Sequence, residues 1–191
     1  MSPTDSSPSG FVSRGGEKLS AAIEHFQLVV RDMVCADFGS HVGGFVDCLL
    51  QRGAARVYSV DTSYGTLAWK LRKDLRVVVL ERANAMHVEL PEIVNLVTVD
   101  VGWTPQAKVL PAAANAVRRD GMVLTLVKPH YEAAKDRLIA GVLPDEAVDG
   151  VVAGVLDEAA RTGWQVVGTF DSVIRGHGGN REVFALLRRV W

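Results

Sequence analysis

Asp100 ends the apolar run "NLVTVDV" and Lys128 follows "GMVLTLV", and solvent exposure alone is not a sufficient reason for either. If both runs are neighbouring strands of a parallel sheet, the two side chains enter one cleft beyond the strand ends. A lysine beside a carboxylate then has two readings. It is a structural ion pair, or it is a base made readier to give up its own proton by desolvation and by a second cation nearby. The pattern leaves both open.

"CADFGSHVGG", residues 35 to 44, adds a ligand. An apolar run ends at Asp37, and Gly39, Gly43 and Gly44 lead into an amphipathic segment. Such a turn lets backbone approach a bound molecule at a helix N-terminus. The spacing is neither the dinucleotide GxGxxG nor a P-loop, since no Gly-Lys-Ser/Thr follows. Asp61 ends the next apolar run, 22 residues after Gly39, where an acid grips the ribose hydroxyls of a nucleoside. Asp37 precedes the glycines, where a carboxylate attracts an amino-acid ammonium and repels a pyrophosphate. Adenosine at one end and a zwitterionic amino acid at the other describe S-adenosylmethionine. Ser40, Phe45 and Thr62 complete the expected lining, and Asn84 in "ERANA" is placed for the adenine edge. The plainer alternative is a tight turn with Asp61 as a helix cap and Asn84 as a turn residue.

The elements that must hold these residues are legible as alternation. Leu19, Ile23, Phe26 and Leu28 predict an opening helix. The runs "MVCADF", "RVYSVD", "RVVVLE", "NLVTVDV" and "GMVLTLVK" follow, with helix-like stretches such as "GGFVDCLLQRG" and "YGTLAWKLRKD" between most of them. That order predicts an α/β fold with a doubly wound, mostly parallel sheet of continuous apolar strands. After Pro144 come a helix, "DEAVDGVVAGVLDEAARTG", and two strand-like runs, "WQVVGTFDSVI" and "REVFALLRRV", read as an antiparallel hairpin on one edge.

With 191 residues, 48% of them hydrophobic, the chain predicts one domain over residues 13–191 after a flexible Ser/Pro-rich tail at 1–12. A net charge of −1 excludes a global positive field, so RNA contact needs a local basic patch. Cys35 and Cys48, without a CxxC pair or secretory signal, predict reduced thiols in a cytoplasmic protein. The five histidines make no ligand-spaced cluster with them, so no metal is expected. No run is long enough to span a bilayer, and no basic amphipathic helix suggests membrane lysis.

"SRGGEKL", "DFGSHVGGFVDCLLQRGAARVYSVD", "LAWKLRKDLRVVVLERANA", "VTVDV", "LVKPHYE" and "GNREVFALL" together resemble the FtsJ-like RNA methyltransferases, and within them the TlyA (hemolysin A) branch. The likeness runs from Ser13 to the C-terminus. It implies a Rossmann-like methyltransferase fold and transfer of a methyl group from S-adenosylmethionine to a ribose 2′-hydroxyl of RNA, ribosomal RNA in this branch. It also implies a Lys-Asp-Lys-Glu tetrad, which falls on Lys18, Asp100, Lys128 and Glu182. Lys18 and Glu182 enter through the resemblance alone. By pattern they are a solvated lysine in a first helical turn and a residue flanking an edge strand. Within the tetrad Lys128 is the expected base, Lys18 acts on it through like charge, and Asp100 and Glu182 orient the ammonium groups. Arg14, Arg175, His177 and Arg181 form an expected basic rim for RNA phosphates, with ordinary surface arginines as the alternative.

The sequence departs from the branch at "GSHVGG", where His41 and Val42 replace a small residue and Thr, at "DVGW" and at "KPHYE". A short polar stretch stands where the branch carries a small RNA-binding module. Two other readings stay open: a non-catalytic RNA- or ribosome-binding protein, and a methyltransferase for a substrate other than RNA.

Overall fold

The computed structural model describes residues 10–190. One seven-stranded sheet runs through it in the order β3-β2-β1-β4-β5-β7-β6. The strands are β1 (Val34–Phe38), β2 (Arg56–Asp61), β3 (Val77–Glu81), β4 (Val94–Val99), β5 (Val117–Val127), β6 (Trp164–Asp171) and β7 (Val183–Arg189). The first five are parallel, and β7 pairs antiparallel with both β5 and β6. The hairpin forms as expected, and β7 lies inside the sheet with β6 at the edge.

Helices α1 (Arg14–His25), α2 (Gly44–Gln51) and α3 (Trp69–Arg72) precede α4 (Gln106–Ala116), α5 (Pro129–Glu132) and α6 (Asp145–Arg161). Two apolar cores result. One holds Leu19 and Ile23 of α1 with Cys35, Leu96, Leu124 and Phe184. The other holds Val109 of α4 and Val148 of α6 with Phe38, Val97, Val123 and Leu187. Neighbouring strand residues alternate between these cores, as the period of two requires.

Three expectations need adjustment. Phe11 and Val12 do not trail in a tail: both pack on the α1 side, and the Val12 N–H donates to Asp47 Oδ2 at 2.8 Å. Residues 1–9 lie outside the described residues. "YGTLAWKLRKD" yields only the single turn of α3, because Ala68 N–H is drawn onto Val42 O at 3.0 Å. The fifth strand begins at Val117 rather than Gly121, with a register shift opposite Val94 and Leu96.

Candidate active site

Strand parity places the chemistry. Asp37 and Asp61 share the face of Cys35 and Val57, which belong to the α1-side core. Beyond the strand ends Asp100 continues the parity of Leu96, and Lys128 that of Leu124 and Leu126. Because β7 is antiparallel to β5, with Val183 opposite Val127, Glu182 lies at the same end of the sheet as Lys128. Its parity is that of Phe184. Lys18 arrives from α1, which packs against α2.

The glycine loop brings three strand ends together. Gly39 and Ser40 donate to Val60 O at 2.9 and 3.1 Å, and Asp100 N–H donates to Phe38 O at 2.9 Å. Gly39 has φ +90°, and a Cβ there would stand 2.6 Å from Asp100 O, so no side chain fits. A Cβ on Gly43 would run into Leu71 and Leu67, and one on Gly44 would strike Ser13 and Gly16 of the first helix. The glycines therefore serve close packing as well as ligand approach. Ser40 is buried with its hydroxyl accepting from Ser59 at 2.7 Å. Phe45 is buried against Phe184, with centroids 6.0 Å apart.

A cleft in two lobes runs over this loop, the lobes meeting at Gly39, His41 and Asp100. The larger, about 450 Å³, is lined by Asp61, Thr62, Asn84, Trp103 and Lys128. The smaller, about 230 Å³, is lined by Arg14, Lys18, Asp37, Ser40 and Phe45. A separate groove of about 410 Å³ between the β3–β4 loop and α4 holds none of the predicted site residues.

Asp37 is fully buried, and its Oδ1 accepts from Thr98 Oγ1 at 2.7 Å while Oδ2 meets no partner among the described residues. Burial pushes its pKa up to about 8; the Thr98 hydrogen bond opposes this, and the carboxylates of Asp100 and Asp61 add to it. Burial also acts upward on Asp61, but hydrogen bonds outweigh it and hold its pKa below the ordinary range. Asp61 Oδ1 accepts from Ser63 N–H at 2.7 Å and the Ser63 hydroxyl at 2.6 Å, and Oδ2 accepts from His41 N–H at 2.8 Å. Asp61 thus makes its own turn and still lines the larger lobe. His41, with φ +46°, is anchored there by its backbone. Asn84 is exposed, and its Oδ1 accepts from Met86 N–H at 3.0 Å; the turn role anticipated for it is present, and its side chain still borders the adenosine lobe.

An orphaned carboxylate oxygen at one end, a Gly39 without room for a Cβ in the middle, and a partly exposed ionised Asp61 at the other fit S-adenosylmethionine. Asp37 suits its ammonium, Gly39 its close approach and Asp61 its ribose.

The tetrad residues assemble as two ion pairs. Lys128 Nζ lies 2.6 Å from Asp100 Oδ1, and Lys18 Nζ lies 2.6 Å from Glu182 Oε2. Glu182 is only 4% exposed, so its charge needs a partner, and Lys18 supplies it. Each lysine therefore has its own carboxylate. The like-charge influence expected of Lys18 on Lys128 is met at Lys18 by a counter-charge.

The expected basic rim is altered. Arg175 forms a forked pair with Asp145 at 3.0 and 2.6 Å, and Arg181 binds Asp171 and Asp149. Acids at the start of α6 and the end of β6, not weighed with the arginines at the sequence level, neutralise both. Arg14 borders the smaller lobe and makes no ion pair with any described residue. The side chain of His177 lies outside the described residues.

Sequence reasoning missed three contributors. Trp103 is 85% exposed at φ +60° and lines the larger lobe, its ring 5.0 Å from that of Tyr131; a bulky aromatic just past a strand end was the available signal. Gly176 has no room for a Cβ because Glu182 occupies that space. Asn180 is buried, accepting from Leu143 N–H at 3.0 Å and donating to Gly141 O at 3.2 Å, which ties the Glu182 loop to the chain before α6.

Residues 11–189 match the model of the FtsJ-like methyltransferase family. The chain is 42% identical over 183 residues to the 16S/23S rRNA (cytidine-2'-O)-methyltransferase TlyA of Mycobacterium tuberculosis, covering 93% of this chain and 68% of that protein. It is 33% identical to Hemolysin A of Brachyspira hyodysenteriae, covering 92% of this chain and 75% of the other. A solved hemolysin-named structure from Streptococcus thermophilus superposes with a TM-score of 0.91 at 36% identity, covering 94% of this chain and 67% of that one.

Proposed function

Since the chain belongs to the FtsJ-like methyltransferase family, we propose that it is an S-adenosylmethionine-dependent enzyme methylating a ribose 2′-hydroxyl of ribosomal RNA. The observation that carries this reading is the Lys128–Asp100 pair at the cleft, with Lys128 and Asp61 lining the same lobe. The cofactor, when bound, supplies a methyl group on a sulfonium, a strong electrophile with a neutral leaving group.

The chain's own residues supply the rest. An alcohol is a weak nucleophile at neutral pH, so its proton must be taken as it reacts. Lys128 Nζ, held beside Asp100, is the group placed to take that proton once it has passed its own to solvent, and the ammonium so formed is left beside the Asp100 carboxylate. Lys18 and Glu182 border the reaction as a second fixed pair and help align the ribose. Arg14, at the smaller lobe, is the arginine best placed for an RNA phosphate. Reaction on RNA and two free buried thiols agree with a cytoplasmic setting. Among the described residues no helix is long and apolar enough to cross a membrane.

The test is incubation with labelled cofactor and ribosomal RNA, with nuclease digestion to locate the label on ribose. Lys128→Ala is expected to lower transfer about a hundredfold or more, the scale of a lost general base, while calorimetry shows cofactor still binding. Wild type that binds cofactor and leaves RNA unlabelled would refute the reading.

A further inference from the structure

The segment after β2 carries two outward aromatic rings, each beside a cation. Tyr64 is 71% exposed with the Arg82 guanidinium 4.4 Å from its centroid, and Trp69 is 69% exposed with Lys73 Nζ at 5.0 Å. This segment has a built seat. Glu81 Oε1 accepts from Gly65 N–H at 2.8 Å and also pairs with Arg72. Arg82 N–H donates to Ser63 O at 3.2 Å, and Ala68 N–H to Val42 O at 3.0 Å. The rings are thus fixed beside the glycine loop, and Thr62, two residues before Tyr64, lines the cleft.

On this segment Lys70, Arg72 and Arg76 are paired with Asp47, Glu81 and Asp74. Arg175 and Arg181 are occupied by carboxylates. Arg82 and Lys73 form no ion pair with any described residue and rest on the rings instead. We propose that Tyr64, Trp69, Lys73 and Arg82 form a surface for single-stranded RNA that leads into the cleft, the bases stacking on the rings and the phosphates meeting the cations. This rests on the reading of the chain as an RNA ribose methyltransferase. Single strands fit because unpaired bases expose faces to stack on an aromatic ring, whereas duplex bases are already stacked. A cation over one face of a ring leaves the other for a base.

Fluorescence anisotropy with a short labelled single strand, and with a duplex of equal length, tests this beside cofactor calorimetry and methyl transfer. The Tyr64→Ala/Trp69→Ala variant is expected to bind the single strand at least about tenfold more weakly, as loss of base stacking implies, with cofactor affinity unchanged. Lys73→Gln/Arg82→Gln should reduce the slope of log affinity against log salt by about 1.4, the value for two phosphate contacts on a single strand. Unchanged single-strand affinity in the ring variant would overturn the proposal, as would equal losses for duplex and single strand. So would a loss seen only with phosphatidylserine vesicles or ribosomal protein. Wild type that binds the single strand through the rings yet transfers no methyl group to RNA sinks the enzymatic reading and keeps this surface. Normal binding and transfer in the ring variant does the reverse.

Discussion

Asp37 shows what a single carboxyl does when it is folded away from water. Its pKa rises from 3.8 to about 8, so the native state keeps a proton that the unfolded chain has released. Across that window the unfolded state binds fewer protons, and stability falls as pH rises. Asp37→Asn is therefore expected to lose less stability than wild type between pH 5 and 8 in urea unfolding; parallel pH profiles would contradict the assignment. The same proton bears on the cofactor, whose ammonium calls for the ionised form. Cofactor affinity should climb with pH toward about 8, with proton uptake by the buffer visible in calorimetry, and the Asn variant should lack that climb. At this scale the sequence was informative where a residue terminates an apolar run, as Asp37, Asp61, Asp100 and Lys128 do. It was silent where a role depends on a distant partner. Arg175 and Arg181 look available until α6 and β6 bring Asp145, Asp149 and Asp171 to them.

Among the elements, alternation carried most of the legible information. Continuous apolar strands and intervening helical stretches specify a parallel sheet, and a period of two then commits every second residue to one face. One helix was not singled out and another was read too long, because local backbone needs ran against pattern. Pro111 lies inside α4 and masks a helix whose Val109 and Leu110 are nevertheless core residues. The stretch before β3 has helical periodicity, yet its backbone bond to Val42 leaves only one turn. The loop between β6 and β7 is the element that seats Glu182, with Gly176 N–H donating to Asn180 O at 2.9 Å. Gly176→Ala would push a methyl group into the Glu182 carboxylate and displace the partner of Lys18. The expected outcome is a fall in kcat of about tenfold or more with cofactor affinity retained, since loss of alignment costs rate. Equal kcat in the two proteins would show that the seat tolerates the change.

For the molecule as a whole, two cores on opposite faces of one sheet leave no path to Cys35 or Cys48, both buried and free. Burial pushes each thiol pKa up to about 12, and the thiolate is the reactive form. A thiol reagent should therefore modify both residues at the rate of global unfolding, rising together with denaturant in step with loss of helix signal; fast modification of the native protein would contradict this. A net charge of −1 leaves RNA attraction to local features, such as Arg14 at the smaller lobe and Lys73 and Arg82 on their rings. The position of β7 has a consequence for how the molecule comes into being. Strand β5 is exposed as an open edge, and β6 has no neighbour, until a segment that emerges later in synthesis inserts between them. Nascent chains are most prone to sticky edge-to-edge association in that interval. The insertion that ends it also delivers Glu182 to Lys18 across 164 residues of sequence, so closing the sheet and completing the tetrad are one event.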